Sequence, residues 1–439
     1  ERMKRIVIFL TLVLACAPVF AQKRDDTHIN INGYGRGSVF GGGTAYDLAS
    51  AFAEFALQTS LTRGKALLVS DIRFRTGVFF NENESAFRIK ELYAGYKGEK
   101  LHVLLGNQIV NWGRSDGFNP TNNITPDDYF FLSPDPADQR LSNFMLKLNY
   151  LPVPGINIEV IGIPFYKMSD YRFDLFDMGE TVRFGKEVIP QRILANGTVA
   201  VRVNFDFPAA GGSVSWFRGY DPYHGFNVTS IDWSSGQPMI TNAAAVYRKT
   251  TLGADLALPA GNWIIRAEAA CNITKNPDNE MYIPNPDLSY VAGLETNVAG
   301  FTLIGQYIGK YTLDFKPLIL PQPGNSPDPG AIVQYTNEMI AYENRSFNRK
   351  VFHQQEQTNH AVSFTLTRSF AYDVLNAEFT VYYNFTSNEW LLRPRLTWKI
   401  SDALSACIGG HYMKGDPQTL FGYSGAVLNG AFLELKVSF

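Results

Sequence analysis

Hydrophobic and polar residues alternate along most of the chain, with the period of two that a β-strand imposes on its side chains. The clearest case is the final stretch, residues 428–439. Its apolar face holds Ala431, Leu433, Leu435, Val437 and Phe439, and its other face holds Gly430, Phe432, Glu434, Lys436 and Ser438. The same alternation recurs in residues 198–207 and 392–400. The pattern predicts an all-β protein built from two-faced strands.

Turn-forming residues divide these segments into nine up-and-down pairs, which makes about 18 strands. The first pair runs over residues 28–41 and 51–62, and the second over 66–80 and 87–97. Short turns are predicted at residues 63–64, 98–99, 152–155, 208–211, 259–261, 299–300, 370–373 and 401–402. Long connections are predicted at about 113–139, 166–194, 220–247, 274–288 and 312–359. Within the third of these, residues 225–246 could hold a hairpin of their own.

Short turns at one end and long connections at the other are typical of outer-membrane barrels, whose short turns face the periplasm and whose long loops are extracellular. Barrels with about 18 strands enclose an aqueous lumen. After residue 22, no apolar run approaches the roughly 20 residues that a membrane-spanning helix needs. We therefore expect residues 22–439 to form one transmembrane antiparallel β-barrel in the outer membrane of a Gram-negative bacterium. A soluble β-sandwich would also alternate, but its strands are shorter on average and its polar face is outside.

Residues 1–21 have the pattern of a signal peptide. Lys4 and Arg5 supply its charge, residues 6–14 its apolar stretch, and residues 19–21 a small-residue cleavage site. A lipoprotein signal ending before Cys16 is the alternative, although Val13 stands where that signal has Leu. Residues 22–27 are too few for an N-terminal plug before the first strand. The remaining cysteines, Cys271 and Cys407, could form one disulfide but no disulfide framework or metal site.

The charged residues on the strands predict the sign of the charge that lines the lumen. The 439-residue chain has a formal charge of −2, which gives no sign of a nucleic-acid partner. A basic side chain on the lipid face costs roughly 2–4 kcal/mol near the midplane, so strand charges should face inward. The predicted lumen cations are Arg73, Arg75, Arg88, Lys90, Lys147, Arg202, Arg266, Arg393, Arg395, Lys399 and Lys436. The carboxylates are fewer: Asp71, Glu159, Asp206, Asp255, Glu268, Glu378 and Glu434.

Two interpretations of these charges stay open. Basic rings could favour anionic or polar solutes, or the charges could pair across neighbouring strands and stabilise the wall. Arg73 with Arg75, and Arg393 with Arg395, are harder to explain by pairing, because residues two apart share a face and concentrate positive charge.

One connection, residues 111–129, stands apart from the others. It is rich in Asn, Gly, Pro and Asp, so it is not a regular strand. It and the next two residues nevertheless carry the aromatic residues Trp112, Phe118, Tyr129, Phe130 and Phe131. We expect these rings to pack, either because the loop folds into the barrel and narrows it, or because it forms a compact extracellular loop that stiffens the rim.

A motif in this region resembles outer-membrane porins related to the alginate-export porins. It comprises residues 106–113 (GNQIVNWG), Asp116, Asn119-Pro120, Thr125-Pro126-Asp127, Asp138 and Arg140, about 35 residues in all. The resemblance implies an 18-stranded barrel with an arginine-rich lumen; the lumen charges are too mixed for the alginate ligand to be transferred. The candidate constriction residues are Arg114, Asp116, Asn119, Asp127 and Arg140, with Arg114 and Arg140 as partners of Asp116 or Asp138. Phe439 resembles the terminal aromatic that the barrel-assembly machinery recognises.

The sequence offers no pattern for catalysis. Its histidines, His28, His102, His224, His353, His360 and His411, lie in no nucleophile, metalloprotease or phosphate-binding motif. Residues 127–128 and 135 match no calcium-loop spacing. We therefore expect no enzyme activity, cofactor or metal.

The expected function is a porin for passive diffusion of small hydrophilic solutes, either anionic or neutral saccharides, in contact with outer-membrane lipid and lipopolysaccharide. An alternative is a plugged or partner-dependent barrel in secretion or surface-complex assembly. Its protein partner would bind the long loops, for which the Pro-rich stretch 316–330 and a short helix at 335–343 are suited. A third hypothesis is that the protein is an outer-membrane hydrolase.

Overall fold

The computed structural model describes residues 27–43, 47–324 and 328–439, so the predicted signal peptide lies outside the described residues. The strands are β1 Thr27–Gly42, β2 Asp47–Arg63, β3 Ala66–Phe79, β4 Glu82–Lys97, β5 Leu101–Gln108, β6 Asn143–Tyr150, β7 Ile156–Ile163, β8 Val182–Phe184, β9 Thr198–Phe207, β10 Ala210–Tyr220, β11 Gly225–Asp232, β12 Met239–Ala245, β13 Arg248–Ala260, β14 Trp263–Ile273, β15 Asp287–Val298, β16 Phe301–Thr312, β17 Thr358–Phe370, β18 Leu375–Asn384, β19 Glu389–Lys399, β20 Leu404–Lys414 and β21 Gly430–Ser438. The helices are α1 Pro329–Val351 and α2 Leu420–Leu428. Short 3-10 turns span Pro136–Gln139, Phe173–Leu175 and Leu194–Asn196.

Eighteen of these strands form one antiparallel sheet that closes on itself. Each pairs with its neighbours in chain order, and β1 pairs with both β2 and β21. Along the closing seam, Tyr34 lies opposite Ser438 and Gly42 lies opposite Gly430. The predicted all-β fold, the closed barrel and the strand number are confirmed.

The two ends of the barrel differ as the sequence predicts. At one end, the short-turn end, every connection is brief; Gly64, for example, adopts a φ of +54° between β2 and β3, where glycine is favoured. At the opposite, long-loop end, extended connections cover residues 109–142, 164–197, 221–247, 274–286, 313–357 and 415–429, the last of which contains α2. Three connections at that end, 43–46, 80–81 and 385–388, are short.

The outer face of the barrel is apolar. On β21, Leu433, Leu435 and Val437 are each 51% exposed, whereas Phe432 and Glu434 between them are buried. Comparable apolar side chains are exposed on strands around the whole barrel. A water-facing surface seldom presents a continuous apolar patch of more than a few hundred Å², so this face is suited to lipid. Within the described ranges, no helix is both long and apolar enough to cross a membrane.

A group of elements, here called the cap, covers part of the long-loop end. Residues 225–245 form the hairpin β11–β12, as the sequence allowed, and β8 pairs with β12 in parallel. Helix α1 extends well beyond the predicted segment 335–343. Aromatic residues from several connections meet here, so the cap is tied to the barrel by packing. They include Phe130, Phe173, Phe226, Phe347 and Phe352.

Candidate functional site

The connection between β5 and β6, residues 109–142, lies inside the barrel and is here called the inward loop. Hydrogen bonds and ion pairs join it to strands on several sides of the lumen, including β1, β3, β4, β7, β9, β13, β14 and β19. Its packed rings bear out the expectation that its aromatic residues would find partners. The loop therefore lies inside the barrel, as the inward interpretation expects, and its role in narrowing the channel stays a prediction.

Aromatic side chains hold the inward loop against the wall. Trp112 is 1% exposed, and its indole N–H donates to the Glu159 carboxylate at 2.6 Å. On another side of the lumen, the Phe118 ring stacks on Tyr382 of β18 with centroids 5.2 Å apart. These contacts fix the loop at distant points of the wall, which limits its freedom to move.

The first turn of the inward loop wraps around the Glu268 carboxylate of β14. The backbone N–H groups of Arg114 and Thr121 donate to it at 3.1 and 2.8 Å, and the Thr121 hydroxyl donates at 2.8 Å. Gly113 has a φ of +96°, and a Cβ there would lie 2.5 Å from a Glu268 oxygen. The close approach therefore requires glycine at this position. Glu268 anchors the loop through hydrogen-bond donors from backbone and hydroxyl groups.

Arg114 extends from this turn towards the short-turn end. Its guanidinium contacts Asp206 at 2.6 Å and Asp255 at 2.9 Å. Asp116 instead contacts Arg266 of β14 at 3.3 Å. The predicted pairing of Arg114 with Asp116 or Asp138 is therefore wrong, because wall carboxylates lie within reach of the arginine.

The other end of the inward loop is held by Asp138. Arg36 of β1 and Arg73 of β3 contact this carboxylate at 2.7 and 2.8 Å. Burial opposes its ionisation, but the two guanidinium groups outweigh burial and hold the pKa of Asp138 well below its usual range. The predicted pairing of Arg140 with Asp138 or Asp116 is wrong too, since both carboxylates have other cations. Arg140 instead pairs through its backbone with Asp127.

A buried charge network beneath Asp138 was missed by the sequence analysis. Glu54 of β2 contacts Arg36 at 2.6 Å and Arg75 at 2.7 Å, and it accepts the Tyr34 hydroxyl at 3.0 Å. The available signal was the alternation of Tyr34, Arg36 and Ser38 on one face of the glycine-rich strand β1. The network makes this part of the wall rigid.

Several predicted lumen cations make ion pairs with carboxylates, as the second interpretation expects, and others make none among the described residues; the preference for anionic solutes stays a prediction. Arg202 contacts Asp255 at 3.1 Å, and Arg395 contacts Glu378 at 2.7 Å, which are ion pairs of the wall. Arg88 contacts Glu84 at 2.5 Å. Lys90 and Arg393 reach carbonyl oxygens of the inward loop instead, at 2.6–3.1 Å and 2.9 Å. Within the described part of the chain, these last two cations make no ion pair.

Three neighbouring cavities lie along the inward loop, beside β1, β3 and β4. The vestibule, about 380 Å³, lies at the long-loop end under the cap. The middle cavity, about 210 Å³, shares Arg75, Arg88, Asp128 and Phe131 with the vestibule. The inner cavity, about 740 Å³, shares only Arg73 and Asp138 with the middle cavity and extends to the short-turn end. The three cavities thus lie in series between the two ends of the barrel, and the Arg73–Asp138 ion pair lies at the boundary between the middle and inner cavities.

The middle cavity is strongly basic. Its lining contains six cations, Arg73, Arg75, Arg88, Lys90, Arg140 and Lys167, and two carboxylates, Asp128 and Asp138. Four of the cations are predicted lumen residues and Arg140 is a predicted loop residue. Lys167, from the β7–β9 connection, was not predicted, because nothing in the sequence indicates that this connection reaches the lumen.

Of the two carboxylates that line the middle cavity, Asp128 is the one whose pKa is raised towards neutral pH. Burial and the neighbouring Asp170 carboxylate raise its pKa to about 6. Burial also raises the pKa of Asp127, against the opposing effect of Arg140. Asn119 lies in the turn of the inward loop, where its carbonyl accepts the N–H of Asn122 at 3.0 Å. Among the constriction candidates, only Arg140 lines the middle cavity.

The cysteines and histidines do not form a second site. Cys271 and Cys407 are both free thiols, on the outward face of β14 and the inward face of β20. His360 packs on Tyr307 on the outer face. In the described residues, no cluster of His, Cys, Asp and Glu has a geometry that could hold a metal ion. Phe439 pairs through its backbone with Gly33, at 2.9 and 3.0 Å, in the closing seam.

No protein-family model matches the chain, and no curated protein matches its sequence. Its fold is similar to that of Acinetobacter baumannii OccAB2, with a TM-score of 0.54 and 12% identity over 94% of this chain and 98% of that one. The outer-membrane protein opdK of Pseudomonas aeruginosa gives 0.55 and 9%, over 94% and 98%. Pseudomonas aeruginosa OccK2 (OpdF) in complex with glucuronate gives 0.53 and 8%, over 94% and 97%.

These similarities establish the fold. The 18-stranded barrel of this chain is similar in fold to the solved Occ and Opd structures. The finer resemblance to the alginate-export porins, and the motif that carries it, stay a prediction.

Proposed function

We propose that the protein is an outer-membrane channel through which small hydrophilic anions, including sugar acids, diffuse passively. The observation that carries this proposal is the middle cavity, whose lining contains six cations and two carboxylates. Arg73, Arg75 and Arg88 make ion pairs with carboxylates, but Lys90, Arg140 and Lys167 make none within the described residues. A narrow basic passage lowers the electrostatic barrier for anions and raises it for cations. The wall ion pairs cancel much of the remaining lumen charge, so the middle cavity would dominate selectivity.

The proposed location follows from the surface. The apolar outer face matches the lipid-facing band of outer-membrane barrels, with short turns in the periplasm and long loops outside. The vestibule would then open to the outside and the inner cavity to the periplasm. Phe439 would serve as the signal to the assembly machinery.

Two proteins of this fold suggest the solute class. OccK2 has been solved with glucuronate, and OpdK with vanillate. Both ligands carry a carboxylate, which suits arginine and lysine side chains. A sugar acid also fits a middle cavity whose lining is mostly charged, and it lies within the expected range of anionic or neutral saccharides.

The test is a reversal potential across a planar bilayer under a KCl gradient, together with liposome swelling in glucuronate, glucose and arginine. We expect anion-selective conductance and faster swelling in glucuronate than in arginine at matched osmolarity. Cation selectivity, or swelling that ignores solute charge, would contradict the proposal. Correct folding is checked by heat-modifiable migration in a gel.

A second candidate is a plugged barrel that opens only with a partner. The observation that favours it is the inward loop, which is fixed to strands on several sides of the lumen. Folded protein without any conductance would support this reading over the open channel. The long loops, including the Pro-rich stretch before α1, would then be where a protein partner binds.

A further inference from the structure

An arginine of β10 faces away from the lumen. Phe217 is buried among lumen-side residues such as Trp112 and Ile124. Its neighbour Arg218 therefore points outward, on the same face as Val214, which is 51% exposed. A lone arginine on a lipid face is costly near the midplane and nearly neutral close to the interface. Arg218 lies two residues from the long-loop end of its strand, so it lies at the rim.

A second outward arginine is its diagonal neighbour. Arg248, the first residue of β13, lies opposite Tyr220, while Arg218 lies opposite Thr250. Diagonal neighbours in an antiparallel pair are separated by about 7–8 Å. The Arg248 guanidinium stacks over the Tyr220 ring at 4.9 Å and donates to the Ala195 carbonyl at 2.7 Å. These contacts use one side of the guanidinium and leave other N–H groups available.

The contact with Ala195 brings a third arginine to the same rim. Ala195 belongs to the 3-10 turn Leu194–Asn196, and Arg192 precedes that turn with its guanidinium 5.2 Å from the Phe165 ring. In the described ranges, Arg192, Arg218 and Arg248 form no ion pair with a carboxylate. Arg218 and Arg248 are therefore close to each other, and Arg192 precedes the turn that contacts Arg248. Among the described residues, none of the three has a carboxylate partner of the kind that the lumen residues Arg202 and Arg395 have.

The surface around these arginines is suited to acyl chains. Val199 of β9 lies directly opposite Arg218, and Leu252 of β13 lies two residues further from the rim than Thr250, the partner of Arg218. Both face outward and are about half exposed. Leu194, 77% exposed, continues the apolar surface beside the arginines. Trp216 faces outward directly opposite Leu252, and tryptophan favours the membrane interface. The site thus has cations above and apolar side chains below.

We propose that Arg192, Arg218 and Arg248 bind a phosphate group of an outer-leaflet glycolipid whose acyl chains pack on Val199, Trp216 and Leu252. Arginine is the side chain best suited to phosphate, because its planar guanidinium can donate two parallel hydrogen bonds. The proposal rests on the outer-membrane location proposed above. It is independent of conduction, because the three guanidinium groups lie outside the barrel wall.

The test is native mass spectrometry of the purified protein in detergent, with bisphosphorylated lipid A added, and with its dephosphorylated form as the comparison. We expect the parent to retain the phosphorylated lipid. The double variant Arg218→Gln/Arg248→Gln should bind it about tenfold or more weakly, since it loses charge-assisted hydrogen bonds. The variant Arg218→Lys/Arg248→Lys, which keeps the charge, should bind with intermediate strength. Binding by this variant would show that substitution at these two positions does not prevent folding.

The matched control is Arg368→Gln. Arg368 also faces outward and stacks on rings, those of Phe301 and Phe370, but it lies alone at the short-turn rim. Its substitution should leave lipid retention unchanged.

The proposal would be overturned if the parent and the double variant retained the lipid equally, or if the parent retained both lipid forms equally. It would also be overturned if inorganic phosphate bound as tightly as the lipid. Conductance of the double variant should equal that of the parent. A parent that binds lipid but does not conduct would contradict only the channel proposal.

Discussion

Asp128 of the inward loop and Asp170 of the β7–β9 connection form a parallel backbone bridge. The bridge places their two carboxylates at the boundary between vestibule and middle cavity, beside Arg88. Like charges held together in a buried place favour protonation of one of them. The boundary of the cationic passage therefore contains a titratable group whose pKa lies close to physiological pH.

The first prediction concerns pH. Because the pKa of Asp128 is about 6, the carboxylate is charged at pH 7.5 and neutral at pH 5, so the lining of the middle cavity loses one negative charge as the pH falls. Anion selectivity should therefore rise as the pH falls, by about threefold in permeability ratio for one charge at ~6 Å in water. Reversal potentials at both pH values measure this. Asp128→Asn should show the low-pH selectivity at pH 7.5; a variant that retains the parent's pH response would refute the assignment.

The second prediction concerns the cations without ion pairs. Lys90→Gln/Arg140→Gln removes two positive charges from the middle cavity and breaks no ion pair of the described wall. Anion selectivity should drop by roughly threefold for each charge, on the same Coulomb estimate. The control is Lys100→Gln, an exposed cation of a short turn away from the cavities. The proposal fails if the double variant Lys90→Gln/Arg140→Gln gives the same reversal potential as the parent.

The third prediction concerns the anchor of the inward loop. Glu268→Ala leaves the N–H groups of Arg114 and Thr121 without their acceptor, which costs about 1–3 kcal/mol for each group left unsatisfied and buried. The loop should loosen, so that the conductance becomes larger or noisier and the loop is cleaved faster by protease. Asp287→Ala serves as the control, because the buried Asp287 accepts hydrogen bonds from Asn272 and Ser289 and does not contact the inward loop. Unchanged channel noise and cleavage in Glu268→Ala would show that the anchor is dispensable.

The fourth prediction concerns orientation. Ser235→Cys lies at the exposed tip of the β11–β12 hairpin, and Asp402→Cys lies in a short turn at the opposite end. In a background with Cys271→Ser and Cys407→Ser, a membrane-impermeant maleimide should label Ser235→Cys in intact cells. It should label Asp402→Cys only after the outer membrane is permeabilised. The reverse result would invert the proposed orientation.

The sequence predicts the barrel well because the patterns that define its strands and turns are local. Alternation on a strand such as residues 198–207 depends only on the chain's own period of two, and turn residues mark where each strand ends. The hairpin β11–β12 was left open, since a short apolar segment inside a long loop can pair locally or with the barrel.

The contacts of the site are less predictable because they join residues far apart in sequence. The partners of Arg114 are Asp206 and Asp255, about 90 and 140 residues away, and no spacing rule links them. Arg36 and Glu54 escaped notice because a single charge among small residues gives a weak signal. Lys167 was missed because the path of the β7–β9 connection is set by packing against Tyr129 and the cap.

The seam between β1 and β21 has a consequence for biogenesis. Strands separated by nearly the whole chain must become neighbours, for example Gly35 and Val437. Bringing such distant segments together has a high entropic cost, and contacts of this kind slow folding. Until the seam forms, the sheet has two unpaired edges, each able to recruit a strand from another copy. A variant lacking residues 430–439 would keep both edges permanently, so its main fate should be aggregation in the periplasm rather than a leaky pore.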